Sequence, residues 1–370
     1  MTDSLKSESL RAALSVTSAF CVILSLSFCP AALRAEPAPQ SAQEPTPPAA
    51  PAAPTLHPVG KWPEGVVEAG GELWVAESGA RQVSRYSLQG KRLERYRVGR
   101  LPVELLKRPG QEVWVSVVTD QVIKRLGSHV KLARKVARMP HYTEAIAADE
   151  EHLYGLLWPG GSSASSALFR RHLATGAEHM SADLGRNAFC LALSAGLAWV
   201  GLDGGVVAVD TRTLAPFRRL TLSKEERALH MAATASRLYV SSLSSSSQRA
   251  SVSLLPREAL RPAAAPPRSG EGAGEVEERP LGDLSVASVG LEERVAALAA
   301  WDDLVAVSLA SGALLALDPL TLHLLHRWPA SSVGGAGAQA IERAGGRLWL
   351  TVHAKGGGVL VEVPLGVLAK

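Results

Sequence analysis

Cysteine is nearly absent from this chain: three in 370 residues, Cys21, Cys29 and Cys190. The first two lie in an apolar N-terminal stretch, so the body keeps one thiol and no internal disulfide. No Cys-x-x-Cys-His occurs, which excludes covalently attached haem, and no Gly-x-Ser-x-Gly elbow accompanies the serine-rich stretches at 162–166 and 241–247. Cys190 sits among Phe189, Leu191 and Leu193 and reads as a buried, inert thiol rather than a nucleophile. An excess of charge of one sign is also lacking. The net charge is +4, and removal of residues 1–35, with three basic and two acidic side chains, lowers it to +3. That balance is too mild for nucleic acid binding. One basic run, Lys124, Arg125, Lys131, Arg134, Lys135 and Arg138, has no interleaved aromatics. It reads as a solvated outer strand, or as a face for anionic lipid or another envelope polymer.

The N-terminus carries the pattern of an export signal. Lys6 and Arg11 form a weakly basic start, and an apolar stretch runs from Ala12 to Leu33, densest at Phe20–Phe28. Leu33-Arg34-Ala35 resembles a small-residue cleavage site. Residues 1–35 are therefore expected to be a signal peptide. The alternative is a membrane anchor, with residues 12–33 as the tether, since a bilayer takes about 20 apolar residues to span. Phe28 precedes Cys29 where a lipoprotein cysteine would need a small residue. Residues 36–55, dominated by Pro and Ala, cannot bury a core and form a disordered linker. The expected location is periplasmic or extracellular.

Aromatic residues make up only 5 % of the chain, yet they keep a period. Trp74, Trp114 and Tyr154 are 40 residues apart, Trp199 follows after 45 and Tyr239 after 40; Val305, 66 later, stands in for a sixth mark, and Trp349 follows after 44. Each mark lies in a short apolar run such as Leu73-Trp74-Val75-Ala76 or Leu348-Trp349-Leu350. Such runs suit a strand buried on both faces. Paired glycines, Gly70-Gly71 and Gly345-Gly346, supply the positive φ of tight hairpins ahead of them. A period of this length predicts an all-β fold. Residues 56–370 are read as a seven-bladed β-propeller of four-stranded antiparallel blades, with a disordered insertion at about 262–280 in blade five. Val59-Gly60-Lys61-Trp62-Pro63-Glu64 echoes Val98-Gly99-Arg100-Leu101-Pro102-Val103-Glu104, so the first reads as a displaced blade end. Residues around Leu56–Trp62 are then expected to supply the outer strand of blade seven and close the ring, removing two open edges.

Blade one, with Pro63-Glu64-Gly65-Val66, Leu73-Trp74-Val75-Ala76-Glu77 and Val83-Ser84-Arg85-Tyr86, resembles the repeat of virginiamycin B lyase-like (streptogramin lyase) propellers, within the wider group of NHL and YVTN propellers. Blade two keeps Pro102, Trp114 and Val122-Ile123-Lys124-Arg125; the other blades match in rhythm. The resemblance implies histidines and a glutamate from neighbouring blades, with a divalent metal near the channel mouth. His230 is the one histidine in a first strand, and Val295-Ala296-Ala297 in the next blade brings no second. The set an acid–base eliminase needs is incomplete.

Ten residues back from each mark stand Glu64, Glu104, Glu144, Phe189, Leu229, Val295 and Gln339. In a propeller this position opens the innermost strand at the channel mouth. Three converging carboxylates, with Gln339 beside them and His141 on a loop of the same face, form a candidate site for Ca2+ or Mg2+. Glu64-Gly65 also resembles the metal-holding Glu-Gly pair of gluconolactonase-like propellers. The plainer reading is a solvated carboxylate ring. The favoured function is a monomeric, exported, non-enzymatic binding or scaffold module for an envelope protein or glycan. The alternative is a metal-dependent lyase or lactonase at the channel mouth, with His230 and Glu104 as catalytic candidates.

Overall fold

The apolar runs around the marks fold as buried second strands, and each is flanked by a hydrogen-bonded strand on either side. The computed structural model describes residues 52–127, 132–158, 165–194, 196–256, 258 and 276–366. The export-signal and most of the linker reading fall on 1–51, outside the described residues. Blade one consists of Pro63–Ala69, Glu72–Glu77, Gln82–Ser87 and Arg92–Arg97. Blade two consists of Pro102–Lys107, Val113–Val117, Val122–Leu126 and Arg134–Arg138. Apart from Lys131, which lies outside the described residues, the basic run thus sits on its two outer strands, with Arg134, Lys135 and Arg138 exposed. Blade three has Tyr142–Ala148, His152–Trp158, Ser165–His172 and Glu178–Met180, with Gly185–Arg186 pairing the third strand. Blade four has Cys190–Ser194, Leu197–Leu202, Gly205–Asp210 and Pro216–Thr221. Blade five has Glu226–Ala233, Arg237–Ser244, Ala250–Pro256 and Ala287–Leu291. Blade six has Val295–Trp301, Leu304–Leu309, Leu314–Leu317 and Leu324–Trp328. Blade seven takes Ala338–Ala344, Arg347–Ala354 and Gly357–Pro364 from the C-terminal end of the chain.

Its fourth strand is Thr55–Val59, antiparallel to Gly357–Pro364 with Thr55 opposite Glu362 and Val59 opposite Gly358. The N-terminal closure expected from the echo is present, in a shorter strand than Leu56–Trp62; residues 60–62 instead bend into blade one. Glu77 holds that bend. Fully buried, its carboxylate accepts hydrogen bonds from the Gly60 N–H (2.9 Å), Ser84 Oγ (2.9 Å), Tyr86 OH (2.8 Å) and the Gln82 amide. A Cβ at Gly60 would lie 2.3 Å from Glu77 Oε2, so the chain passes too close for any other residue.

Seven hydrophobic clusters make up the core, and each joins one blade to the next. Trp74, Tyr154, Trp199, Tyr239 and Trp349 are almost wholly buried in them. Blade six corrects the sequence reading. Ala297 pairs with Ser308 there as Ala340 pairs with Thr351 in blade seven, so the residue equivalent to Trp349 is Ala306, one later than Val305. The ring missing at Ala306 is replaced by Trp328, which comes into the same cluster from the blade's outer strand.

The insertion needs a second correction. Residues 259–275 lie outside the described residues, but Glu277–Pro280 is a strand that pairs in parallel with Arg218–Thr221 on the outer edge of blade four. Its anchor is Arg218, 4 % exposed, whose Nε and Nη2 donate to Glu277 Oε2 at 2.9 and 2.8 Å. That guanidinium holds the Glu277 carboxyl below the usual range.

Candidate functional site

The innermost strands share one irregularity. In six of the seven, the ladder to the second strand gains one extra residue close to where the strand begins. These β-bulges leave backbone groups out of the ladder and bend the strand there. The bulge segments surround a cavity of about 330 Å³, lined by Gly65, Glu104, Ala145, Cys190, His230, Ala297 and Gln339, one from each blade in order.

Hairpin length explains why Glu64 and Glu104 do not face alike as spacing suggested: Trp74 pairs with Val67, seven residues back, but Trp114 pairs with Leu106, eight back. In blade one the bulge holds Glu64 and Gly65, between Pro63 and Val66; in blade two it holds Val103 and Glu104, between Pro102 and Leu105. Counting back ten from the mark therefore lands on the first bulge residue in one blade and the second in the next. Only the second faces the cavity, and in blade one that is Gly65. Glu64 points elsewhere: its Oε1 accepts from Ser78 Oγ at 3.2 Å and lies 3.4 Å from His353 Nε2. Glu144 holds the same bulge position as Glu64, and its side chain lies outside the described residues. His141 is exposed on the turn into blade three and does not line the cavity. Gln339 does, with its amide 3.3 Å from the Gly337 carbonyl.

Three cavity-lining side chains reach backbone of the next blade. Glu104 Oε2 accepts the Ile146 N–H of blade three at 2.9 Å. The Cys190 thiol lies 3.7 Å from the Ala228 carbonyl of blade five, and His230 Nε2 lies 3.2 Å from the Val295 carbonyl of blade six. Ser308 Oγ accepts the Ala338 N–H of blade seven, and Thr351 Oγ1 donates to the Glu64 carbonyl of blade one. Every acceptor or donor so reached sits in or beside a bulge. In blades five and seven the residue after the bulge donates its N–H to a hydroxyl facing it, Ser241 or Thr351. In blade three the facing residue is Gly155, which has no side chain, and Glu104 supplies the acceptor from next door. A Cβ at Gly155 would meet Met139 Cε at 2.4 Å, so a side chain there requires Met139 to move aside.

Burial sets the charge of the lining. It pushes the Glu104 carboxyl up to about 7, against the opposing Ile146 N–H. It pushes the Cys190 thiol up to about 12, Glu104 adding to the effect, so the thiol stays protonated and inert at neutral pH. It pulls His230 down to about 4, against the Val295 carbonyl. A hard divalent cation takes several ionised oxygen ligands. Among the described side chains lining the cavity, Glu104 supplies the one carboxylate, held near its neutral form. That set does not fit Ca2+ or Mg2+.

Around the cavity mouth lies a feature the sequence reading did not single out. Trp62, Leu101, Tyr142 and Phe189 stand at the entries of the innermost strands of blades one to four, and 58, 37, 41 and 37 % of their surfaces are exposed. Trp62 (φ 53°) and Leu101 (φ 60°) are in the left-handed region, and each precedes a proline. Both conditions disfavour that backbone for a bulky residue, at about 1–3 kcal/mol each. The conformation is held by equivalent bonds, Ser78 N–H to the Trp62 carbonyl (2.9 Å) and Val118 N–H to the Leu101 carbonyl (3.0 Å). The signal was present in the echo of residues 59–64 in 98–104, which aligns Trp62 with Leu101.

The class these features define is a closed seven-bladed propeller with a small, weakly charged cavity and an apolar rim at one end of its channel. Solved structures share that architecture. A structure of U3-55K is 12 % identical with a TM-score of 0.62, over 86 % of this chain and 100 % of that one. A streptogramin B lyase is 10 % identical with a TM-score of 0.60, over 84 and 98 %. The computationally designed Ika8 protein is 14 % identical with a TM-score of 0.55, over 83 and 97 %. At such identities the likeness is one of fold. No protein-family model and no curated protein matches the sequence.

Proposed function

We propose that this chain is an exported, monomeric cell-envelope propeller that binds a protein or glycan partner over its cavity-mouth face and acts as a scaffold. The apolar rim carries this reading: Trp62 and Leu101 are large, exposed and held on strained backbone at equivalent positions. Strain of this kind persists where the surrounding bonds over-determine it, and it clusters at functional positions. Exposed aromatics on loops of a rigid frame are the usual anchors of a binding face. The polar groups in the cavity favour binding over catalysis, because Glu104, Cys190 and His230 each reach a neighbouring blade's backbone. Export rests on the apolar stretch at 12–33 and the Pro/Ala segment that follows it.

A second reading, lyase or lactonase chemistry at the mouth, is favoured by one observation: Glu104 and His230 line the same cavity, and a carboxyl near 7 is poised to move a proton at neutral pH. One experiment separates the two. Wild type and the Trp62→Gly/Tyr142→Ala double variant are cross-linked in envelope extracts and assayed for turnover of lactones and cyclic esters. The binding reading expects a partner recovered by wild type and lost by the variant, with no turnover. Equal recovery by both proteins sinks it. Turnover abolished by Glu104→Gln establishes the second.

A further inference from the structure

At the end of blade three remote from the cavity, two histidines face each other across the sheet. His152 opens the second strand, His172 closes the third, and the two are register partners. Their ring centroids are 5.0 Å apart with the rings nearly perpendicular. Glu151 precedes His152, and one ligand atom from each of Glu151, His152 and His172 falls within 4.8 Å of the others. The two segments are tied together, since the Leu173 N–H donates to the Glu151 carbonyl at 2.8 Å.

We propose that Glu151, His152 and His172 form a binding site for a borderline-soft divalent metal ion, Zn2+ above all. Two imidazoles and one carboxylate are a zinc donor set that leaves a fourth position for water. Tetrahedral zinc with bonds of about 2.0–2.1 Å places its ligands about 3.3 Å apart, so the three donors close in by small rotations, the exposed Glu151 most of all. His152 is prepared for the role. Its Nδ1 lies 3.5 Å from Asp149 Oδ1, which favours the ring proton on that side and leaves Nε2 as the free lone pair. Asp149 is itself fixed by the Tyr154 hydroxyl (2.8 Å) and by the N–H groups of Glu151 (2.9 Å) and His152 (2.7 Å). His172 Nδ1 accepts the N–H groups of Ala174 and Thr175, both at 3.2 Å. Coordination through His172 Nε2 moves the ring proton to Nδ1 and releases those two bonds. Metal binding therefore loosens the turn after the third strand while stapling the second strand to it. The ion is recognised by imidazole, which hard Ca2+ and Mg2+ do not favour.

The test uses the full chain, stripped with chelator and titrated with Zn2+ by calorimetry. Wild type is expected to bind one ion. His152→Ala and His172→Ala are expected to weaken binding at least about ten-fold, and Glu151→Gln to weaken it less. His179→Ala, an exposed histidine on the adjacent strand, is expected to leave it unchanged. Amide exchange at Ala174 and Thr175 should speed up on adding Zn2+ to wild type. No binding by wild type overturns the proposal, as does undiminished binding in the His152→Ala/His172→Ala double variant. Glu151→Gln, at an exposed position, keeps the test interpretable if a histidine variant misfolds.

Discussion

Glu104 ties a titration to the seam between blades two and three. Its carboxyl lies near 7 in the folded chain against an ordinary 4.5, and Glu342, buried beside Glu68, also rises to about 7. Between these values the folded chain holds protons that the unfolded chain has lost, so stability falls as pH rises from about 4.5 through 7. His230 works in the opposite sense. Folding lowers it from 6.5 to about 4, so its contribution is lost as pH falls through that window. Two carboxyls outweigh one imidazole, and Tm is expected to fall from pH 5 to pH 8. Glu104→Gln keeps an oxygen for the Ile146 N–H and removes the charge. It should flatten the profile and stabilise the protein at pH 8 by the order of 1–3 kcal/mol, at about 1.4 kcal/mol per pKa unit. Thermal scans giving parallel profiles for the two proteins would refute this. Glu104 was readable in the sequence as a channel residue. The direction of Glu64 was not, because one bulge residue separates facing the cavity from facing His353, and periodicity does not reveal bulges.

Among the elements, the bend at Gly60 depends most on a single side chain. Glu77→Ala strips the acceptor from Ser84 and Tyr86, both almost fully buried, and from the Gly60 N–H. Unsatisfied buried donors cost about 1–3 kcal/mol each, so a total loss of about 3 kcal/mol or more is expected. Hydrogen exchange should rise first in Thr55–Val59 and its partner Gly357–Pro364. Acceleration confined to blade one would instead mean that Glu77 supports blade one alone and does not hold the closing strand. The closing strand could be read from sequence because repeat descent left a visible copy. Glu277–Pro280 could not, since a Glu- and Pro-rich stretch becomes a strand only through pairing with blade four and the Arg218 contact. The sixth mark slipped by one residue because an alanine replaced the ring and Trp328 filled its place from another strand.

For the molecule as a whole, seven junctions of similar kind share the stabilisation, and the count of blades was legible because each junction wants one large buried residue per repeat. Blade seven differs, since its own sheet joins chain segments about 300 residues apart. A chain lacking residues 1–59 keeps the buried members of all seven clusters, losing Val59 from the margin of the one between blades seven and one, but leaves Gly357–Pro364 as an open edge. Such an edge invites pairing with another copy. Concentration-dependent oligomers are expected by light scattering, whereas a stable monomer of unchanged Tm would show that closure contributes nothing.

The pairing of Thr55 with Glu362 also orders events in time. The closing strand is among the first parts of the propeller to leave the ribosome, and its partner is among the last. Blades one to six can form locally as they emerge, but the ring stays unlatched until the seventh blade has followed them. During that interval the waiting strand and the unfinished seventh blade are the surfaces a holding chaperone would have to cover.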